Sequence, residues 1–205
     1  MNLILASTSP RRIEMMGWLG VSFKAVPSLF DEKSIRDTNP EILTQKLSKA
    51  KALSVKHNYP NTIIIGSDSV GEFGGQILEK VADAEEQKRL IKIMRGNEVL
   101  VWTSAYLINT ESGQEATETV VIRCKMANVE DDLIEKYIES GKGLDKAGGV
   151  GLQDFDGAFV EKIDGCYSSA LGFPLCKVSE ILQKMGISIA VNVKAIVKEK
   201  TGKDC

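Results

Sequence analysis

Histidine and paired cysteines are the clearest shortages in this sequence of 205 residues. His57 is the only histidine, and none of the four cysteines, which are Cys124, Cys166, Cys176 and Cys205, forms a CxxC pair. A Ser-His-Asp or Cys-His hydrolase and a zinc centre are therefore disfavoured. Widely scattered cysteines in a chain of this size are typical of buried or free thiols in a reducing compartment.

Long apolar runs and an excess of charge of either sign are also missing. No stretch approaches the ~18 apolar residues that a membrane-spanning helix needs, and the short apolar start is followed at once by two arginines, unlike a signal peptide. The net charge of −2 gives no reason to expect a nucleic-acid polymer or an anionic membrane as a partner. We expect a cytoplasmic protein that binds a small anion, and the sequence leaves a homodimer open.

The sequence has instead an early alternation of strand and helix patterns. Hydrophobic residues make up 43%, which is enough for a substantial core without disulfides. Residues 2–6 and 62–65 predict buried strands, residues 40–57 predict an amphipathic helix, and residues 99–126 predict an antiparallel hairpin. This order predicts the α/β fold class with a mixed sheet. The lysine-rich tail over residues 191–205 is expected to fray. The expected apolar face of the long helix is formed by Ile42, Leu43, Leu47, Ala50 and Leu53.

A serine-rich turn with two arginines follows the first predicted strand. Ser7 and Ser9 precede a helix start at Pro10, so their hydroxyls and the free backbone N–H groups lie at the positive end of the helix dipole. Arg11 and Arg12 add planar donors suited to phosphate oxygens, although cations at this end of a helix oppose its dipole. A bound anion would remove that conflict. An ordinary N-cap with solvated arginines is the alternative.

Two acidic segments are candidates for binding a metal or for activating water. Asp68, in the run GSDS, follows a predicted buried strand, which is where open α/β sheets place their ligands. Its carboxylate can hold Mg²⁺ or Mn²⁺ or can take a proton from water. Asp31 and Glu32 form an acidic pair in a polar loop and can supply a second ligand. A turn cap at Asp68 and a solvated acidic pair are the alternatives.

Two lysines and a glycine-rich loop complete the set of candidates. Lys51 lies on the predicted long helix and Lys80 follows a short strand, and each taken alone is an ordinary surface lysine. The loop reads GKGLDKAGGVGLQ at residues 141–153, where Asp145 and Gln153 supply polar groups. Its dense glycine permits close approach of the backbone to a ligand. It lacks the P-loop pattern, and a flexible surface loop is the alternative.

Taken in order, these segments resemble the Maf-like nucleotide pyrophosphatase family. The family's opening LASxSPRR matches residues 5–12, its helical KA matches 51–52, and its (A/S)D(T/Q) segment matches 67–69. Its DKAG(x)YGIQ matches residues 145–153, and its late Gly-x-Tyr segment ending in GLPL matches 165–175. Several spaced motifs in the right order are far more specific than any one of them.

The resemblance implies a twisted mixed sheet flanked by helices, with two lobes around a central cleft, in a single domain over residues 1–190. It implies hydrolysis of a nucleoside triphosphate between the α- and β-phosphates, with Mg²⁺ or Mn²⁺ as cofactor. Such chemistry consists mainly of positioning and charge neutralisation. The matched positions and the motif chemistry together implicate Asp68, Lys51, Lys80 and Gln153 in catalysis, Ser7, Ser9, Arg11 and Arg12 in substrate binding, and Glu32 and Asp68 in metal binding.

Some positions depart from the family pattern. Val81 replaces a proline, Val99 replaces a histidine, Ser104 replaces a glycine, and Val150 replaces an aromatic residue. The downstream match favours the branch that acts on dTTP and UTP, whereas Ser67 is more like the branch that acts on methylated guanine nucleotides. The alternative function is a nucleotide-binding regulatory protein of cell division with little turnover.

Overall fold

The computed structural model describes residues 2–144 and 146–205, and within this part of the chain seven strands form one sheet. The strands are β1 (Asn2–Ala6), β2 (Lys24–Val26), β3 (Thr62–Phe73), β4 (Gln76–Leu78), β5 (Glu98–Asn109), β6 (Glu115–Met126) and β7 (Val160–Asp164). Their order is β2-β1-β3-β5-β6-β7, and β4 pairs with β3. Because β2 and β3 run parallel to β1 while β4 and β7 are antiparallel to their neighbours, the sheet is mixed, as predicted.

Helices alternate with the strands along the chain and confirm the α/β class. They are α1 (Pro10–Gly17), α2 (Pro40–Ser54), α3 (Ala84–Met94), α4 (Asp131–Glu139), α5 (Tyr167–Ala170), α6 (Leu175–Lys184) and α7 (Val193–Thr201). Three of them begin at a side-chain cap, because Asn39, Asp83 and Asn192 each accept a hydrogen bond from a backbone N–H in the first helical turn. No helix of the described residues combines the length and the apolar character needed to cross a bilayer.

The chain divides into two compact units, each made of segments that are not continuous in the sequence. The first unit contains the residues up to Ser69 together with Thr103–Val120 and Gly165–Cys205. The second contains Val70–Trp102 and Val121–Asp164. Since β3, β5 and β6 each contribute residues to both units, neither unit is one continuous piece of sequence.

The first unit has a core on both faces of its parallel strands, because successive side chains of a strand point to opposite faces. On one face Leu5 and Ile65 are fully buried in a cluster that includes residues of α1, α6 and α7. On the other face Ile4 and Ile64 pack in a cluster with Ala52 of α2. In the second unit, α3 and α4 contribute to a separate cluster around two aromatic rings, those of Tyr137 and Phe159, whose centroids are 4.8 Å apart.

Three local predictions are wrong, each for a physical reason. Strand β3 continues to Phe73 rather than ending near residue 65, so Asp68 lies inside a strand and not in a turn after it. The tail does not fray over residues 193–201, because α7 is capped by Asn192 and buries Val197 completely. The buried side of α2 also differs, since Ile42 is 43% exposed whereas polar residues of this helix are buried. The domain boundary at residue 190 stays a prediction.

Candidate active site

A buried lysine links two acidic residues in the first unit. Lys51 on α2 is 5% exposed and Asp68 on β3 is 6% exposed, and the Lys51 ammonium donates a hydrogen bond to Asp68 Oδ1. The same ammonium lies 3.0 Å from Glu32 Oε1. Lysine and aspartate are rarely buried unless they are paired. The three candidates that were predicted separately therefore form one cluster, which we call the acidic–lysine cluster, and the surface-lysine alternative for Lys51 is wrong.

The two acids of the polar loop have different roles. Asp31 Oδ1 accepts a hydrogen bond of 3.0 Å from Lys33 N and so caps the short 3₁₀ turn Glu32–Ser34. Glu32 contacts Lys51 while 58% of its side chain stays exposed to solvent. Asp31 thus orders the loop, and Glu32 is the member of the pair that reaches the acidic–lysine cluster.

Close contact between α2 and β3 brings Lys51 to Asp68, and Gly66 permits that contact. A Cβ atom at Gly66 would lie 2.1 Å from the Ser48 carbonyl oxygen and 2.9 Å from Ala52 N, both of them backbone atoms of α2. We expect Gly66→Ala to lower the free energy of unfolding by about 3 kcal/mol, because a clash with backbone cannot be relieved by a side-chain rotation. Urea denaturation measures this.

Gly17→Ala is the matched control for the Gly66 substitution. Gly17 is the last residue of α1, and a Cβ atom there meets no heavy atom within 4 Å. Alanine should keep or raise stability, by about 0.5–1 kcal/mol, because it loses less conformational freedom than glycine on folding. Equal stabilities of Gly66→Ala and the unsubstituted protein would contradict the close packing of α2 on β3.

The serine turn lies between β1 and α1, as predicted. Ser7 is buried, and its hydroxyl oxygen accepts a hydrogen bond of 3.1 Å from Ser9 N. Ser9 occupies the N-cap position of α1, yet its side chain makes no capping hydrogen bond, and no acidic residue lies in the first helical turn. The first turn of α1 therefore supplies no carboxylate of its own to the positive end of the helix. An anion is the complementary partner for that end.

Arg12 is anchored by a backbone carbonyl from a distant part of the chain. Its Nε donates to Gly172 O at 2.9 Å, and the Ser67 hydroxyl lies 3.3 Å from the same oxygen. Burial lowers the pKa of the Arg12 guanidinium, and the nearby charges of Asp68 and Glu32 act in the opposite direction. Arg12 therefore faces the acidic–lysine cluster within the first unit, whereas Arg11 follows Pro10 in the first turn of α1.

A layer of hydroxyl groups under this site was not found by sequence reasoning. The Thr103 hydroxyl donates to Ser169 O at 2.9 Å and lies 3.0 Å from Ser69 Oγ. Ser67 donates to Ser104 O at 2.9 Å. These bonds fix the β3 segment that carries Asp68. A run of small polar residues inside β-rich segments was the available signal, because buried hydroxyls need partners within the core.

Lys80 and Gln153 belong to the second unit, where both side chains are exposed. Lys80 forms a β-bridge with Ala147, and Gly148 N donates to Glu79 O at 3.0 Å. The segment around Lys80 is thereby tied to the glycine-rich loop that ends at Gln153. Asp145, which belongs to the same loop, lies outside the described residues.

Two buried side chains hold the glycine-rich loop, so the alternative of a flexible surface loop is wrong for its described part. Gln87 Nε2 donates to Lys142 O and to Gly149 O, each at 2.7 Å. Tyr137 Oη accepts from Gly151 N at 3.1 Å and donates to Asp154 Oδ2 at 2.6 Å. Sequence reasoning missed both residues, although each is a polar residue on the buried side of an amphipathic helix, α3 for Gln87 and α4 for Tyr137.

The departures from the family pattern are structurally accommodated. Val81 and Val99 are buried, at 8% and 5% exposure, and Val150 packs against the core of the second unit. Ser104 is fully buried and its hydroxyl lies 2.8 Å from that of Thr44. The three valines therefore contribute to packing, and Ser104 is one of the buried residues whose hydroxyl groups bond to one another.

The acidic–lysine cluster fits a divalent cation. Carboxylate oxygens of Glu32 and Asp68 converge on the Lys51 ammonium, so this position already accommodates positive charge. Mg²⁺ commonly takes only one or two carboxylates from a protein and fills its other positions with water and substrate phosphates. The donor set is hard oxygen, which suits Mg²⁺ or Mn²⁺.

Comparison with known proteins assigns the chain first to a fold and then to a family. A HAM1 protein from Coxiella burnetii shares the fold, with a TM-score of 0.50, 13% identity, and coverage of 90% of this chain and 99% of that one. Residues 2–185 match the family model described as Maf-like protein. The chain belongs to the Maf-like family, which confirms the resemblance found in the sequence.

Several relatives carry the name dTTP/UTP pyrophosphatase. That of Syntrophus aciditrophicus is 36% identical over 184 residues, which are 90% of each chain. That of Clostridium tetani is 35% identical over 192 residues, covering 92% of this chain and 100% of the relative. That of Deinococcus radiodurans is 36% identical over 186 residues, covering 91% of this chain and 94% of the relative. The similarity extends over nearly the whole length of both partners in each pair.

Proposed function

We propose that this protein is a nucleoside triphosphate pyrophosphatase that hydrolyses the bond between the α- and β-phosphates. The observation that carries the proposal is the convergence of a buried Lys51–Asp68 pair, Glu32 and Arg12 within one unit. Phosphoryl transfer needs several cations and a carboxylate held in fixed positions. Membership of the Maf-like family and the names of its relatives support the same reaction.

The serine turn and its arginines bind the triphosphate in this proposal. Backbone N–H groups at the start of α1, the Ser7 and Ser9 hydroxyls and the guanidinium groups of Arg11 and Arg12 are donors to phosphate oxygens. The hydrogen bond from Arg12 Nε to Gly172 O leaves the other guanidinium nitrogens of Arg12 for the substrate. Lys80 and Gln153 stay predictions from the motif match.

Asp68 activates the attacking water. Its carboxylate takes a proton as the water oxygen bonds to the α-phosphorus, and the bond to the bridging oxygen breaks to release pyrophosphate. Lys51 orients this carboxylate through its hydrogen bond. Glu32 and Asp68 would together hold Mg²⁺ or Mn²⁺, which when bound neutralises charge on the phosphate oxygens. The acidic–lysine cluster thus combines positioning with charge balance.

A pyrimidine nucleotide, dTTP or UTP, is the proposed substrate, and the cytoplasm is the proposed compartment. The relatives from Syntrophus, Clostridium and Deinococcus are all named for dTTP and UTP, which agrees with the preference inferred from the downstream motif. We propose no nucleic-acid polymer and no membrane as partner, in keeping with the net charge of −2. A homodimer remains compatible with these observations.

The decisive experiment identifies the phosphate product. We expect orthophosphate to appear only after a separate inorganic pyrophosphatase is added, because the primary product is pyrophosphate. The panel contains dTTP, UTP, the other common triphosphates and methylated guanine nucleotides, each with and without Mg²⁺ or Mn²⁺. The pyrimidine nucleotides should be turned over fastest.

Two outcomes would contradict the proposal in different ways. Orthophosphate released without the coupling enzyme would mean cleavage at the γ-phosphate. Tight nucleotide binding with no turnover of any member of the panel would favour the regulatory protein of cell division instead.

A further inference from the structure

Three of the four cysteines come together in the first unit, although they are far apart in the sequence. Cys166 precedes α5, Cys176 lies in the first turn of α6, and Cys205 follows α7. Their Sγ atoms all lie within 4.8 Å of one another, and all three residues are partly exposed. In the described part of the chain, this is the one group of three or more cysteine, histidine or acidic residues arranged closely enough to ligate a metal.

The approach of the C-terminal tail to the other two cysteines is built by specific contacts. Tyr167 N donates to Asp204 O at 3.0 Å, and the Asp204 carboxylate is paired with Lys198 of α7 at 2.9 Å. The Ser168 hydroxyl lies 3.1 Å from Cys166 Sγ and 3.7 Å from Cys205 Sγ. Because α7 is itself anchored in the core of the unit, the position of Cys205 is set by the fold.

Cys166 and Cys205 are joined by a disulfide, contrary to the free thiols expected from the sequence, and Cys176 is a thiol 4.0 Å from Cys166 Sγ. We propose that the reduced cluster is a binding site for one thiophilic divalent cation, with zinc as the probe. A dithiol reductant supplies two electrons and two protons, which convert the disulfide into two thiols and leave the reductant as its own disulfide. Three thiols then lose their protons as the cation binds.

The geometry and chemistry of the cluster favour zinc over the cations of the acidic–lysine cluster. Thiolates are soft ligands that select zinc, whereas Mg²⁺ and Mn²⁺ prefer oxygen. Two sulfurs on a tetrahedral zinc ion, each about 2.3 Å from it, are separated by about 3.8 Å, close to the 4.0 Å between Cys166 and Cys176. Three thiolates and Zn²⁺ carry one net negative charge, and the charges that act on Cys176 are those of Lys194 and Lys177, which favour its thiolate, and of Glu180, which disfavours it. Partial exposure leaves a fourth position for water.

The test of this site measures metal binding and not activity, so its outcome does not depend on the proposed pyrophosphatase reaction. Reduced protein is titrated with Zn²⁺ against a chromophoric chelator in the presence of excess Mg²⁺, and with Co²⁺ to record thiolate-to-cobalt absorption. The variants are Cys176→Ser and Cys205→Ser. Cys124→Ser is the control, because Cys124 lies on β6, is fully buried, and has a thiol whose pKa burial raises to about 11.

We expect the unsubstituted protein and Cys124→Ser to bind one equivalent of zinc, with cobalt–thiolate absorption in both. Cys176→Ser and Cys205→Ser should bind zinc at least ~10-fold more weakly than the unsubstituted protein. Removing a residue that only orients a metal ligand already weakens metal binding by about that factor, and here a ligand itself is removed. Melting temperatures of the reduced apo proteins show whether each variant is folded. The proposal is overturned if the reduced protein binds no more zinc than Cys176→Ser, or if the disulfide survives excess reductant and no zinc is taken up.

Discussion

Asp68→Asn is expected to lower the turnover number for a nucleoside triphosphate by at least ~10²-fold, the usual scale for losing one general base. Asparagine keeps the shape of the side chain and one oxygen that accepts from Lys51, but it removes the charge and the basic oxygen. The Lys51 ammonium keeps Glu32 as its ionic partner, so we expect a loss of only about 2 kcal/mol in the free energy of unfolding. Turnover and thermal melting are measured on the same preparation.

The control is Asp37→Asn, which removes a carboxylate that also pairs with a lysine of α2. Asp37 Oδ2 lies 2.8 Å from Lys46 Nζ, and the side chain of Lys46 is 51% exposed. The pair is far more solvated than Lys51–Asp68, so its loss should leave turnover unchanged and lower the free energy of unfolding much less than Asp68→Asn does. An Asp68→Asn protein with normal turnover and lowered stability would reduce Asp68 to a partner for Lys51, and Glu32 would become the next candidate for the base.

Lys51→Ala is expected to abolish measurable turnover and to lower the free energy of unfolding by about 3 kcal/mol, the scale for breaking a buried ion pair. Without the ammonium, the buried Asp68 carboxylate loses its hydrogen bond, and Asp68 and Glu32 lose the cation that pairs with both of them. We expect Mg²⁺ or Mn²⁺ to raise the melting temperature of this variant more than that of the unsubstituted protein, because a ligand that binds only the folded state stabilises it.

Lys46→Ala is the matched control, since Lys46 lies on the same helix and makes one exposed ion pair. It should retain turnover, and added divalent cations should shift its melting temperature no more than they shift that of the unsubstituted protein. If Lys51→Ala is as stable as Lys46→Ala, the ion pair contributes nothing to the fold. If divalent cations leave its melting temperature unchanged, Glu32 and Asp68 do not form a metal site.

Local motifs carried most of what the sequence predicted correctly. The turn between β1 and α1 was found because a buried strand, two serines and a proline have strong local preferences. For Lys51 taken alone, the same local reasoning favoured an ordinary surface lysine. Apolar positions alone defined the expected buried face of α2, whereas the observed buried stripe also contains polar residues at helical spacing, namely Thr44, Ser48 and Lys51.

Contacts between distant segments were beyond local reasoning. Nothing in the order of residues shows that the Gly172 carbonyl meets Arg12, 160 positions earlier, or that Cys205 reaches Cys166. Gly172 has a φ of +94°, and a Cβ atom there would come 3.1 Å from Ser69 Oγ, so the glycine is explained only once both neighbours are placed. The widely spaced cysteines likewise gave no pattern, because a ligand set assembled from three elements has no fixed spacing.

The chain passes from the first unit to the second and back, and this order has a consequence for synthesis on the ribosome. All residues of the second unit, Val70–Trp102 and Val121–Asp164, have been translated before the first unit receives its final segment, Gly165–Cys205. Until that segment emerges, the apolar face formed by Leu5 and Ile65 lacks the cover supplied by α6 and α7. A nascent chain stalled after Asp164 would therefore contain every segment of the second unit while this apolar face of the first unit stayed uncovered, and such exposed apolar surface makes an incompletely folded chain prone to aggregation.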